Sequence, residues 1–275
     1  MDEKPIARCF FDLFKCPKHP PGWVLFPAAP PVTKVVDGFW VARLGDYGMC
    51  DGDSWDIVVE GSDSMLVCGL PIARKGDAMM HGGTISMGSD TEGDAGGTFR
   101  LPANLKIGGD IRFQNKVVRD LYAVSQTPAG AATLNAIAAS GQDVAIVSGG
   151  YIQTAPDDPD AVRRGGKSGS TIDYDPDKLD INTVCKEGCV ANPPQLNLGH
   201  ELIHAARFAR GGATMNNITE EKQVIGPPYG PTDKDPNWPT ENGLRNGLNL
   251  GTRLNYDNCT NPQLARNLRP GNCAP

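Results

Sequence analysis

The stretch His200-Glu201-Leu202-Ile203-His204 constrains the fold of this chain more than any other feature. Histidines at this spacing share one face only if the segment is helical, and their side chains can then bind a single metal ion. A carboxylate directly after the first histidine is placed to activate water as a general base. The motif therefore predicts a helix over about residues 195–210 that carries a catalytic Zn²⁺ site.

The alternative for this motif is a surface helix with two solvated imidazoles. Leu202, Ile203 and Phe208 argue against that alternative, because they give the helix the apolar surface of a mostly buried element.

A catalytic zinc ion usually takes three protein ligands and leaves one position open. Glu221 is the candidate for the third ligand, in a stretch over 218–226 that we expect to form a short helix. Its neighbour Glu220 is expected to hydrogen-bond a ligand imidazole and hold its tautomer. Without the upstream motif, both acids would equally suit a solvated first turn capped by Thr219.

A guanidinium and a phenol stand close together near the C-terminus, on Arg253 and Tyr256. If that segment is a helical turn, the two side chains project together. They are then candidates for stabilising the negative charge that develops on a substrate carbonyl oxygen.

Composition excludes several classes of protein. A formal charge of −6 and a pI near 5.2 argue against a nucleic-acid or anionic-membrane binder. The chain has 33 glycines and 23 prolines but also 39 % hydrophobic residues, so we expect a loop-rich folded protein. No signal peptide or membrane span is expected from the apolar runs, which predicts synthesis in the cytoplasm.

An internal repeat organises the first third of the chain. Residues 41–46, Val-Ala-Arg-Leu-Gly-Asp, recur at 72–77 as Ile-Ala-Arg-Lys-Gly-Asp. Two copies of a β-hairpin-like unit explain this, with short strands expected at 56–60 and 65–67. We therefore predict an N-terminal arm over 1–32, a small all-β module over 33–97 and a linker at its end, over 93–97.

The periodicity changes after that linker. Apolar positions between 111 and 124 fit one face of a helix, and Thr127 is expected to cap a second helix that starts at Pro128 and stops at Gly141. Strands are expected at 143–147 and 170–174. Residues 98–275 are thus predicted to form an α+β domain.

The second domain resembles the NleD-like effector zinc metallopeptidases of the M91 type and shares the site pattern of the clostridial neurotoxin light chains. Matching elements are residues 127–130, 170–176, 199–205, 240–242 and 253–256, with Glu220-Glu221 ahead of Gly226. The resemblance implies a zincin-type, gluzincin-like metalloendopeptidase with Glu221 as a ligand and with Arg253 and Tyr256 stabilising the transition state.

The repeated module is similar to PAAR proteins, which form the tip of the type VI secretion spike; residues 39–46 and 70–77 stand at the signature positions. This resemblance implies a VgrG-type spike protein as partner and a structural zinc near the tip. Cys50 and His81 occupy equivalent repeat positions, and Cys16 with His19 has a chelating spacing that would complete the set. The alternative is an N-terminal arm that binds no metal.

The whole chain is then expected to be a secreted effector, exported by type VI secretion into a recipient cell, where it cleaves a target protein. An immunity protein is a further expected partner. The alternative is a non-catalytic spike-tip or adaptor protein whose C-terminal metal site is structural.

Four cysteines of the second domain are expected to form one or two disulfides after export, or else to remain buried thiols: Cys185, Cys189, Cys259 and Cys273.

Overall fold

The computed structural model describes residues 3–29, 32–178, 180–185, 188–231 and 233–253, with the backbone alone for 180–185 and 188–191. The described chain divides into two compact units. One comprises residues 3–101 and 109–119, and the other comprises residues 102–108 and 120–253.

Residues 3–101 form short strands and, where described, no helix. The largest sheet has three antiparallel strands in the order β2-β5-β6, and the remaining strands pair as β1-β10, β3-β4, β7-β11 and β8-β9. The strands are β1 (Lys4–Pro5), β2 (Gly22–Phe26), β3 (Val35–Val36), β4 (Phe39–Trp40), β5 (Tyr47–Cys50), β6 (Trp55–Ile57), β7 (Glu60–Ser62), β8 (Leu66–Val67), β9 (Leu70–Pro71), β10 (Gly93–Asp94) and β11 (Thr98–Arg100).

Both repeat copies form the same tight turn. The backbone N–H of Arg43 donates to the Asp46 carboxylate at 2.9 Å, and that of Arg74 donates to the Asp77 carboxylate at 2.8 Å. The glycine before each aspartate has a positive φ, 82° and 90°, a conformation that favours glycine because it has no Cβ. Arginine and aspartate are buried in both turns and form ion pairs at 3.6 Å and 3.1 Å, which offset part of the cost of burying their charges.

A third copy of the repeat, which the sequence analysis did not recognise, lies at the N-terminus. Pro5-Ile6-Ala7-Arg8 is identical to Pro71-Ile72-Ala73-Arg74. The three alanines form a ring of backbone hydrogen bonds, from Ala7 to Ala73 at 2.9 Å, from Ala73 to Ala42 at 2.8 Å and from Ala42 to Ala7 at 2.8 Å. The unit is therefore built on three copies around one centre.

Two local predictions in this unit were wrong. Gly93–Asp94, expected in a linker, forms β10 and pairs with β1. The expected strand over 56–60 is interrupted, because Val58 and Val59 donate their backbone N–H groups to Asp46 and Ala78 instead of continuing one ladder.

β2, which lies in the segment expected to be an arm, pairs with β5. The domain bounds 1–32, 33–97 and 98–275 remain a prediction.

The rest of the described chain contains helices and a mixed four-stranded sheet in the order β12-β13-β15-β14, so the α+β fold class is confirmed. Only β14 runs antiparallel to its neighbour. The elements are β12 (Leu105–Ile107), α1 (Ile111–Ser125), α2 (Pro128–Ser140), β13 (Val144–Ser148), β14 (Gln153–Pro156), α3 (Pro159–Arg163), β15 (Ser170–Tyr174), β16 (Asp180–Cys185), β17 (Gly188–Asn192), α4 (Pro194–Arg210), α5 (Asn217–Ile225) and α6 (Glu241–Gly247).

The central helix α4 is buried along almost its whole length. It packs against α2, α5, α6, β14 and β15, which explains why apolar residues surround its motif on several sides. Gly211 ends it in the left-handed conformation, with φ of 80°. No described helix is long and apolar enough to span a membrane.

The cysteines differ in state. Cys9, Cys16 and Cys50 are free and buried, whereas Cys68, to which the sequence analysis assigned no role, is in a disulfide. The side chains of the four cysteines predicted to form disulfides in the second domain lie outside the described residues.

Candidate metal centres

Three ligand-type side chains converge on one point beside α4. His200 Nε2 lies 3.2 Å from His204 Nε2 and 3.3 Å from Glu221 Oε2, and His204 Nε2 lies 3.3 Å from Glu221 Oε1. Ligand atoms about 2.0–2.1 Å from a tetrahedral zinc ion are roughly 3.3 Å from one another. Glu221 Oε2 is also buried without a hydrogen-bond partner. The three residues therefore fit a zinc ion in spacing and in donor type.

Two helices supply these groups. The two histidines lie one turn apart on α4, and α5 carries Glu221. The start of α5 differs from the expectation, because Asn216 and not Thr219 caps it, accepting a hydrogen bond from the Thr219 backbone N–H at 3.0 Å. The earlier cap moves Glu221 into the middle of the helix, where its half-buried carboxylate contacts both histidines of α4.

A second buried carboxylate fixes the orientation of His200. His200 Nδ1 donates to Glu241 Oε2 at 2.8 Å, which leaves Nε2 for the centre of the site. Glu241 also accepts from Arg253 Nη1 at 2.7 Å and from Arg245 Nε at 2.6 Å. Burial opposes charge on the His200 ring, yet the nearby carboxylates of Glu221 and Glu241 outweigh it and raise the pKa of His200 to about 10. An ion at this site must displace that proton.

Glu220 has a different set of partners. One of its oxygens lies 3.6 Å from His204 Nδ1, beyond hydrogen-bond distance. Its main partner is Arg207, which donates to it at 2.6 Å and 3.1 Å and also binds Asp233. Burial would raise the pKa of Glu220, but His204, Arg207 and the Thr214 backbone N–H outweigh it, and the pKa is lowered. Glu220 thus joins the site to a buried ion-pair network.

The three proposed ligands line one cavity of about 500 Å³ together with Glu220 and Glu241. Glu201 lies in its wall, and the Thr154 hydroxyl donates to Glu201 Oε2 at 2.7 Å. Arg253 lines the same cavity, and its backbone N–H donates to Asn242 at 2.8 Å. Strand β14, at one edge of the described sheet, supplies a further wall.

A second group of ligand-type residues lies in the first unit, where Cys16, His19, Cys50 and His81 bring their ligand atoms within 4.8 Å of one another. The two thiols are 3.6 Å and 4.0 Å from His81 Nδ1. Sulfur and nitrogen ligands of a tetrahedral zinc ion are about 3.6 Å apart. His19 Nδ1 is buried without a hydrogen-bond partner. This donor set also fits zinc.

Burial sets the charge state of the second group. It raises the pKa of the Cys50 thiol, with a further contribution from the Cys16 thiol. It also lowers the pKa of His81, which keeps that ring neutral. A neutral imidazole is the form that binds metal, while the thiols would lose their protons to an ion.

Comparison with known families assigns both parts of the chain. A family model described as peptidase M91, effector protein, matches residues 102–256. The chain belongs to the peptidase M91 family. A model of the PAAR motif matches residues 11–87, which confirms the fusion of the two expected families in this M91 protein. No curated protein matches the chain. Together the two families indicate a secreted effector with peptidase activity.

The structure brings nearly all the predicted site residues of the M91 region together. His200, Glu201, His204, Glu221 and Arg253 line one cavity, and Glu220 lines it as well while binding Arg207. Tyr256 lies outside the described residues. The four residues of the possible structural site also converge.

Two residues that hold the proposed catalytic groups in place were not predicted from the sequence. Glu241 was noted only within a matching segment, because after Thr240 it looks like an ordinary acid in a first helical turn; Thr240 does cap α6. Thr154 carries no sequence signal, because its strand is far from α4 in the chain.

Proposed function

We propose that this M91 protein is a type VI secretion effector whose second domain is a zinc endopeptidase, with His200, His204 and Glu221 as zinc ligands. The observation that carries the proposal is the convergence of the two imidazole Nε2 atoms, 3.2 Å apart, on the Glu221 carboxylate, which places one oxygen 3.3 Å from each of them, in the cavity that also contains Glu201. Two imidazoles and a carboxylate are a donor set that zinc hydrolases use.

When bound, Zn²⁺ would polarise the scissile carbonyl and make water more acidic. Glu201 accepts a proton from the attacking water and later donates it to the leaving amine. Thr154 holds the Glu201 carboxylate through a hydrogen bond of 2.7 Å. The other carboxylates of the cavity are engaged elsewhere, since Glu220 and Glu241 bind arginines, and this leaves Glu201 as the base.

Arg253 is the candidate for stabilising charge on the substrate carbonyl oxygen. Glu241 holds its guanidinium in the cavity wall by the same oxygen that accepts from His200. One buried carboxylate thereby couples the orientation of a metal ligand to that of a cationic group, which favours a preorganised site. Tyr256, predicted to act with Arg253, remains a proposal from the sequence.

The peptide substrate is expected to lie along β14. This strand pairs with β15 on one side, and residues 152–156 line the cavity. An extended peptide can add to such an edge through backbone hydrogen bonds. Side-chain pockets then select the sequence that is cleaved.

Replacing Thr154 by valine is expected to lower kcat about 10-fold, because one hydrogen bond to a charged group contributes at least about 1.5 kcal/mol. Valine keeps the shape and the strand preference of threonine. Thr154→Ser should restore the rate, and zinc content should not change in either variant. Equal rates in the wild type and Thr154→Val, measured in single-turnover cleavage, would rule out this positioning role.

The PAAR-like module is proposed to dock the protein on a VgrG-type spike and to hold a second, structural zinc ion through Cys16, His19, Cys50 and His81. The PAAR motif implies binding to such a spike. Delivery from the bacterial cytoplasm into a recipient cell follows from that partner. A target protein and an immunity protein complete the set of proposed partners.

Mapping of new protein N-termini tests the proposal directly. The full chain and its Glu201→Gln variant are expressed in bacterial and in eukaryotic cells, and the N-termini that appear are identified by mass spectrometry. New N-termini are expected with the wild type alone. If the wild type and Glu201→Gln give the same N-termini in both kinds of cell, the alternative is favoured, a non-catalytic spike-tip or adaptor protein whose metal site is structural.

A further inference from the structure

Asn197 is a polar residue of the cavity that neither the proposed metal site nor the proposed mechanism uses. The residue is only 6 % exposed, it lines the cavity beside α4, and its Nδ2 atom is buried without a hydrogen-bond partner. An unpaired buried amide is costly and calls for an explanation.

The position of Asn197 on α4 suggests an explanation for its unpaired amide. Residues three and four apart on a helix are neighbours on its surface, so Asn197 lies beside His200 and Glu201. Its amide therefore belongs to the same row of side chains as the proposed ligands and base. Most of the other buried residues of α4 are apolar, so Asn197 is one of the few polar groups that this helix buries.

The unpaired donor of Asn197 matches the chemistry of a bound peptide. Resting on the proposed peptidase function, we propose that Asn197 is a substrate-binding residue whose amide turns toward the cavity when a peptide binds, so that its Nδ2–H group donates to a backbone carbonyl oxygen of the peptide. A carbonyl is the acceptor that every peptide substrate carries, so the contact would position the chain next to Glu201 without selecting its sequence. A site built around a donor discriminates against ligands that lack the acceptor, because the donor is then left unpaired.

The test uses the zinc-loaded full chain and hydroxamates that chelate zinc. The parent probe is N-acetyl-dialanine hydroxamate, and two analogues replace one backbone amide each by a trans-alkene. Dissociation constants are measured by calorimetry for the wild type and for Asn197→Ala. The affinity lost with one of the two analogues should be about 10-fold larger for the wild type than for Asn197→Ala, as expected for one hydrogen bond. Losses that are equal in both proteins for both analogues would overturn the proposal.

Gln195 provides a matched control on the same helix. It is 1 % exposed and also has a buried unpaired amide atom, but it is not among the residues that line the cavity. Gln195→Ala should therefore discriminate between the probes as the wild type does. The same discrimination lost in Gln195→Ala would show a general packing effect and would contradict the proposal.

Two further measurements separate this proposal from a structural role and from failure of the metal site. Asn197→Leu should melt at the same temperature as the wild type or higher, since it removes an unpaired buried amide; a melting temperature lower by about 5 °C would identify a structural amide. Acetohydroxamate, which reaches only the metal, should bind wild type and Asn197→Ala alike. If it binds neither, the zinc site itself is wrong and the proposal for Asn197 is overturned with it.

Discussion

Replacing Glu201 by glutamine is expected to lower kcat/KM for peptide cleavage about 10²–10⁴-fold while zinc content stays unchanged. Glutamine has nearly the same shape and can still accept the hydrogen bond from Thr154, but it cannot take a proton from water. The ligand atoms of His200, His204 and Glu221 belong to other side chains, so the ion should remain bound. The measurement is steady-state cleavage of a peptide identified by the N-terminus mapping, together with metal analysis.

Asp160→Asn is the matched control for that substitution. Its carboxylate pairs with Arg163 on the surface and is 69 % exposed, so the same chemical change there should leave cleavage within about 2-fold, as for most surface substitutions. A Glu201→Gln variant that kept both its zinc and its activity would refute the proposed base. A variant that lost zinc would instead show that Glu201 supports the metal site.

The parts of this protein that could be predicted from sequence are those encoded by neighbouring residues. Helix α2 starts and stops where Thr127, Pro128 and Gly141 indicate, because capping and left-handed glycine depend on local geometry. The metal motif of α4 could be predicted for the same reason, since helical periodicity alone brings two histidines together.

The parts that could not be predicted depend on residues far apart in the chain. The ring of Ala7, Ala42 and Ala73 joins three distant segments, and the first repeat copy was missed because Cys9 and Phe10 follow its arginine in place of the Leu-Gly or Lys-Gly of the other two. Glu241 likewise reaches His200 only through the packing of α6 against α4. No local pattern encodes such contacts.

We expect the chain to bind two zinc ions, and single substitutions should remove one ion without the other. Cys16→Ala should lower the metal content from two ions to one without affecting peptide cleavage, whereas His204→Ala should remove the other ion and the activity. Cys9→Ala is the control, because Cys9 is equally buried and free but does not belong to the group of four. It should retain both ions, as measured by atomic absorption after dialysis.

Loss of the first ion should also lower the stability of the unit that holds it. A ligand present at about 1,000 times its dissociation constant stabilises the folded state by about 4 kcal/mol, which corresponds to roughly 15–30 °C in the melting temperature of a unit of this size. The loss of stability should be large because the short strands of this unit, many of only two residues, form few ladder hydrogen bonds. The ion would add a link between distant segments, since it would join Cys16 and His19 to Cys50 and His81. If the wild type contains one ion and Cys16→Ala melts like Cys9→Ala, the four residues do not form a zinc site.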